Sequence, residues 1–249
     1  MQKYYLKAPP GHTIKQKKTL ALRLKLVFSL VFLTAGIASV TSVLYPIVSY
    51  QLIFAPRLNR ETNLSPAGKI SQIEIESASA QEPKFLPEMI NTSLDYTDAA
   101  TWFPRAEPQS KPDQEIFYTL SIPKLKIEDA VVIVGGTDLK KSLIHYGGTA
   151  MPGDLGNPVI YGHSVLPQFF DPKNYTSIFS TLYTLKKGDE IVINYEGVEY
   201  RYAISSMYEV EPDDIYPLAQ SYDNYHLTLI TCTPPGTYLR RLIVRAEII

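Results

Sequence analysis

The residues of this 249-residue chain with the most chemical reach are its single cysteine, its four histidines and a pair of adjacent arginines near the C-terminus. Cys232 ends the apolar run HLTLITC and is followed by Thr233 and Pro234. Being alone, it forms no intramolecular disulfide and no multi-cysteine metal site. It is then either a small buried hydrophobe, the common fate of a free cysteine, or a nucleophile. A nucleophilic cysteine acts as thiolate and needs a nearby cation to lower its pKa. Two other features could supply what such a thiol requires. His163 stands just past the apolar run NPVIYG, where a rigid strand can present a side chain to a cleft. Arg240 and Arg241 open the next apolar run, after the connection PPGTYL. Imidazole can hold a proton or deliver it to a leaving amine. A guanidinium offers fixed donors to a substrate carbonyl or a developing oxyanion.

Those side chains need short strands to hold them, and the second half of the chain is patterned for strands. From about residue 115, IFYTLSIPKL, DAVVIV, NPVIY, DEIVINY, VEYRYAIS, HLTLITC and RLIVRAEI are short β-prone runs separated by turn signals. Glu196-Gly197 between two of them reads as a hairpin turn. Short helices are expected near residues 137–145 and 177–185. The pattern implies an all-β barrel or sandwich. Alternation along the cysteine's run places Thr228, Ile230 and Cys232 on one face and Leu227, Leu229 and Thr231 on the other. Among the other histidines, His12 lies in the basic tail, His145 before Tyr146-Gly147-Gly148 reads as structural or cleft-adjacent, and His226 starts the cysteine's own strand.

The first half is organised differently. No charged residue occurs from 26 to 54, and residues 26–45 match the length needed to span a bilayer. Seven of the 24 Lys and Arg residues fall within residues 1–25, which hold no Asp or Glu. The positive-inside rule then keeps the N-terminus in the cytoplasm and the body outside. An uncleaved-looking signal peptide is the other reading of this segment, and it too puts the body outside. The expected division is a basic tail over 1–25, a transmembrane helix over 26–50, a proline-bearing extracytoplasmic linker over 51–114 and a globular domain over 115–249. Brief helix-compatible stretches occur at 70–81, and Trp102-Phe103 is an aromatic pair of the kind that docks on a neighbouring domain. With the basic tail removed the body is acidic, which argues against nucleic acid as a partner.

With these residues in view, the chain resembles the sortase family. LTLITCTPPGTYLRRLIVRA at 227–246 is similar to the family's Thr-Leu-x-Thr-Cys, short turn and Arg-Leu-hydrophobic-Val signature. HYGGTAMPGDLGNPVIYGHS at 145–164 is similar to its segment ending in Gly-His, and TLSIPKLKI at 119–127 to its opening strand. The resemblance covers roughly residues 115–249. It implies a sortase-like closed β-barrel with short helices, preceded here by the transmembrane helix. It implies a cysteine transpeptidase that cleaves a Leu-Pro-x-Thr-Gly-like sorting signal through a thioacyl intermediate on Cys232. An amine acceptor, a cell-wall precursor or a pilin lysine, would then take the acyl group. His163 carries over as acid/base and Arg241 as the guanidinium, with Arg240 on the opposite strand face; Thr231 and Thr233 would flank the bound substrate. No cofactor and no metal are implied.

The sequence departs from parts of the family pattern. No Asp-Pro-aromatic motif of the pilus-assembling members occurs in residues 55–115, and Asp171-Pro172 is followed by Lys173. The segment between Tyr208 and Tyr225 is too short for the long helical insertion of the haem-protein-anchoring subgroup. Glu209, Glu211, Asp213 and Asp214 could be read as a calcium site, but are read here as a solvated turn, since Ca²⁺ needs six or more converging oxygens. Competing readings are another extracytoplasmic Cys–His enzyme, such as an L,D-transpeptidase, and a non-catalytic surface protein on the same barrel.

Overall fold

The computed structural model describes residues 14–62, 95–104, 106, 112 and 114–249. The expectations placed on residues 1–13 and on the stretches at 63–94 lie outside the described residues. The chain divides into two units, residues 1–45 and 46–249. The first is the bulk of α1 (Ile14–Ser49), which meets the length and apolarity needed to cross a membrane. Its described side chains are exposed, as suits a helix whose surroundings would be lipid.

In the second unit, a wide π-type turn (Tyr50–Phe54) leads into α2 (Ala55–Thr62). The barrel follows: β1 (Phe117–Ile122), β2 (Ile127–Val134), β3 (Leu143–His145), β4 (Val159–Tyr161), β5 (Glu190–Tyr195), β6 (Val198–Val210), β7 (His226–Thr233) and β8 (Arg240–Ile248). These strands close in the order β1-β2-β3-β4-β7-β8-β6-β5. Closure leaves no unpaired sheet edge. The β2–β3 and β4–β7 pairs are parallel and the others antiparallel. Neither segment expected to be helical is an α-helix. Residues 137–145 turn and end in β3, and residues 177–185 form turns and one 3₁₀ turn, Leu182–Thr184. Each is too short to carry the unfavourable nucleation of a helix when packing favours a strand or a tight turn.

Strand alternation sorts the apolar residues into two layers. Leu120, Ile122, Ile191, Tyr202, Leu227, Leu229, Leu242 and Val244 fill the barrel, and Tyr50, Ala55 and Leu58 join them. Val159, Tyr161, Ile230, Cys232 and Ile243 face outward beneath Trp102 and Phe103. Between β5 and β6, Glu196 and Gly197 both have positive φ, 51° and 79°, the geometry of a type I′ hairpin turn. Along β6 the register shifts between Ile204 and Ser206. That bulge reverses parity: Tyr202 and Ile204 point inward before it, and Met207 does after it.

His145 is fully buried, and its ring makes two hydrogen bonds, Nδ1 with Tyr118 Oη at 2.7 Å and Nε2 with Thr149 Oγ1 at 2.9 Å. The Thr149 hydroxyl already donates to the Tyr146 carbonyl at 2.8 Å, so it accepts from Nε2–H and leaves Nδ1 to accept from Tyr118. This is a neutral imidazole, and burial pushes its pKa down to about 4. The unfolded chain therefore binds a proton that the folded chain refuses between about pH 6.5 and pH 4. Folding stability should fall through that window on acidification, by up to about 3 kcal/mol from this site. Denaturant unfolding in detergent at pH 7 and pH 4.5 should show the loss, and His145→Gln should reduce it.

Candidate active site

The barrel brings the sequence-assigned residues to one end of three neighbouring strands. Cys232 and Arg241 are direct partners across β7 and β8. Tyr161 of β4 pairs in parallel with Ile230 of β7, so His163 and Cys232 each lie two residues beyond that pair, toward the same end of the barrel. Cys232 and Arg241 share the outward face with Ile230 and Ile243, whereas Leu242 faces the barrel interior. Arg241 is 1 % exposed. Arg240 points to the other face, half-exposed, with Nη2 2.9 Å from Glu211.

Hydroxyl groups fasten the histidine loop to the cysteine strand. Thr231 Oγ1 donates to the Gly162 carbonyl at 2.8 Å, and Ser164 Oγ to the Cys232 carbonyl at 2.9 Å. The Gly162 amide donates to Ile230 O at 3.1 Å. Position 162 has no room for a side chain, because a Cβ there would lie 2.2 Å from the Phe179 ring. The Phe179 amide in turn donates to the His163 carbonyl at 3.1 Å. His163 Nδ1 lies 2.8 Å from the Thr176 carbonyl, which only accepts, so Nδ1 carries the proton and Nε2 is the basic nitrogen. The Thr231 hydroxyl is thus held by Gly162, and the Thr233 hydroxyl by Glu209 at 3.1 Å.

Burial favours the neutral forms of Cys232 and His163, beside the guanidinium of Arg241. Burial pushes the Cys232 thiol up to about 11, with Arg241 opposing. Burial also lowers His163, opposed by the Thr176 carbonyl; nearby Lys140 lowers it further and Asp95 raises it. The two groups therefore rest as thiol and imidazole rather than as an ion pair.

The cause of that burial is a strap, residues 95–103, laid over the outward face. Its backbone is pinned by Ala99 N to Thr137 O and Leu139 N to Thr97 O, both at 2.9 Å. Asp98 caps its single 3₁₀ turn by accepting from the Ala100 amide at 3.0 Å. Tyr96 stacks on Tyr238 at 4.0 Å, and Trp102 and Phe103 stack on Tyr161 at 5.4 and 6.0 Å. Trp102 is 0 % exposed, and its indole donates to Tyr96 O at 2.8 Å. The Trp102 carbonyl accepts from both Nε and Nη2 of Arg241, at 3.2 and 2.9 Å. Nη1 serves the carbonyls of Tyr238 and Arg240, and the guanidinium lies 5.5 Å from the Trp102 ring centroid. Cys232 is left 2 % exposed. Beneath it the buried phenol of Tyr161 has no partner among the described residues. The sequence signals this strap only through its aromatic pair, which docks as that pair suggested. That it covers the cysteine depends on contacts with residues 137, 139, 161, 238 and 241, all distant in the chain.

The Sortase domain family model matches residues 120–249. Sortase A of Bacillus anthracis is 25% identical over 170 residues, covering 63% of this chain and 76% of that protein. Sortase D of Bacillus subtilis is 30% identical over 118 residues, 46% of this chain and 53% of that protein. Among solved structures, a Clostridium perfringens Sortase D5 transpeptidase is 30% identical, with 57% of this chain and 82% of that one covered and a TM-score of 0.47. Sortase A from Corynebacterium diphtheriae is 33% identical, covering 58% of this chain and 63% of that one, with a TM-score of 0.47.

Trp102→Ala should uncover the thiol and bring its pKa down toward the usual range. Alkylation of Cys232 by iodoacetamide at pH 7.5 should then rise at least about tenfold, because the thiolate is the reacting species. In the wild type the rate should keep climbing past pH 9, whereas the variant should level off at lower pH. Equal rates at every pH would mean that the strap does not control the thiol.

Proposed function

The chain belongs to the sortase family, and on that premise we propose that it is a membrane-anchored cysteine transpeptidase using Cys232, His163 and Arg241. The substrate is the C-terminal sorting signal of a surface protein, of the Leu-Pro-x-Thr-Gly type, cleaved between Thr and Gly. The supporting observation is the register of β7 and β8, which sets Cys232 directly across from a buried arginine whose fork already holds a peptide carbonyl.

The reaction begins when the strap yields the groove to the sorting signal. Cys232 gives its proton to His163 Nε2, and the sulfur attacks the threonine carbonyl carbon. Charge develops on the carbonyl oxygen, and Arg241 meets it with the two N–H groups that otherwise serve Trp102 O. The C–N bond breaks, and imidazolium returns the proton to the leaving glycine nitrogen. A thioester on Cys232 remains. An incoming amine, from a cell-wall precursor or a pilin lysine, loses a proton to His163 and attacks the same carbon. The thiol leaves, re-protonated, and a new amide is formed. Arg241 suits this work because its partners are neutral carbonyls, so its charge is not cancelled by a carboxylate. The Thr176 carbonyl keeps the His163 tautomer that leaves Nε2 free for proton transfer. In this reading the tail over 1–25 is cytoplasmic, the apolar helix from residue 26 spans the membrane and ends at Ser49, and the rest of the chain, with the catalytic domain over 115–249, lies outside the cell. Thr231 and Thr233 serve the substrate site from behind, through the loop and strand ends that they fasten.

Fluorogenic peptides of the Leu-Pro-x-Thr-Gly type, with and without an added amine, test this on the full chain in detergent. Cleavage should be abolished in Cys232→Ala, and an amide product should appear only with amine. Arg241→Lys keeps the charge but loses the fork, and should lower kcat roughly a hundredfold. Cleavage that survives Cys232→Ala would refute the assignment.

A further inference from the structure

Glu209 is the one member of the acidic run 209–214 that the structure turns inward. The β6 bulge reverses parity ahead of it, so its side chain is only 3 % exposed and lies on the face opposite Tyr208 and Val210. Three donors converge there from three parts of the chain. Tyr50 Oη donates to Oε1 at 2.6 Å, and Thr233 Oγ1 donates to the same oxygen at 3.1 Å. Arg240 Nη1 lies 3.7 Å from Oε2. Thr233 follows Cys232, Arg240 precedes Arg241, and Tyr50 is the first residue after the apolar helix α1. Tyr50 is itself held by an edge contact to Tyr183 at 5.2 Å and by Phe54, and α2 continues from it along the barrel with Ala55 and Leu58 buried.

We infer that Glu209 is a positioning residue for the nucleophile, tying the strand ends that carry Cys232 and Arg241 to the segment by which the chain leaves its membrane helix. The nucleophile's role rests on the function proposed above; the tie itself does not. A buried carboxylate is retained only where enough donors meet it. Here two of those donors, Thr233 and Arg240, sit one residue away from Cys232 and from Arg241, on the reverse face of the same two strands. Fixing Thr233 and Arg240 therefore fixes the backbone from which the sulfur and the guanidinium project, without touching the substrate. Residues 50–58 are on this account a working part of the catalytic body rather than a passive tether.

The test uses the full chain in detergent, with Tyr50→Phe, which removes one donor and keeps the ring, beside Glu209→Ala and Glu209→Gln. Hydrogen exchange followed by mass spectrometry should show amides of residues 231–240 exchanging at least about fivefold faster in Tyr50→Phe and Glu209→Ala, with β1 and β2 unchanged. In peptide turnover, kcat should drop about tenfold with KM held, and Glu209→Gln, which keeps a neutral acceptor at Oε1, should recover most of it. Unaltered exchange at 231–240, a uniform rise over the whole barrel, or a lowered melting temperature with kcat intact would overturn the inference. If Glu209→Ala fails to fold, Tyr50→Phe still decides by the same readings. A wild type without turnover would count against the proposed function, while the exchange pattern would still judge the tie.

Discussion

Arg241 imposes the main constraint on this molecule. A guanidinium removed from water must be surrounded by acceptors, because an unpaired buried charge costs several kcal/mol. Its hydrogen-bond partners among the described residues are all backbone carbonyls, from Trp102, Tyr238 and Arg240. Such partners solvate the charge without neutralising it. Two of them belong to the β7–β8 connection and the start of β8. The third comes from the strap, and it takes the two donors that form the fork. The strap is therefore the replaceable partner, and the proposed reaction substitutes a substrate carbonyl for that of Trp102. The same covering raises the Cys232 thiol, so closure and chemical silence have one physical cause.

Everything around this clamp serves to fix the strand ends. Thr231, Ser164 and the Gly162 amide stitch the His163 loop to β7, and Phe179 closes over the space a side chain at 162 would need. On the reverse face Glu209 gathers Thr233, Arg240 and Tyr50. The end of β7 thus alternates between two faces, with Ile230 and Cys232 beneath the strap and Thr231 and Thr233 fastening the strand. A change on the holding face would be felt in the groove through the backbone.

Much of this was legible in the sequence because it is local. Apolar runs ending in Cys232 and beginning at Arg241 announced paired strands, and simple alternation separated Arg241 from Arg240. Glu196-Gly197 announced its hairpin through Gly197, which adopts a positive φ at little cost. Less local features were lost. Glu209 read as part of a solvated turn, because a one-residue bulge near Ser205 changes which face it occupies and no pattern of period two foresees that. The expected helices at 137–145 and 177–185 gave way to turns and β3, since short segments follow tertiary packing more than propensity. The strap read as linker because it lies within the proline-bearing, polar stretch 51–114. Three aromatic rings, two backbone hydrogen bonds and one carbonyl hold it, and their partners at 137, 139, 161, 238 and 241 are distant in sequence.

The central claim is that Cys232 is acylated by the sorting signal, and trapping the intermediate tests it most directly. The full chain would be mixed with a Leu-Pro-x-Thr-Gly-type peptide without amine, quenched in acid within seconds and mapped by mass spectrometry. The account predicts that the peptide containing Cys232 gains the mass of the fragment ending in threonine, and that added hydroxylamine discharges it. Peptide cleavage with no adduct on Cys232, or with an adduct that persists in Cys232→Ala, would contradict it.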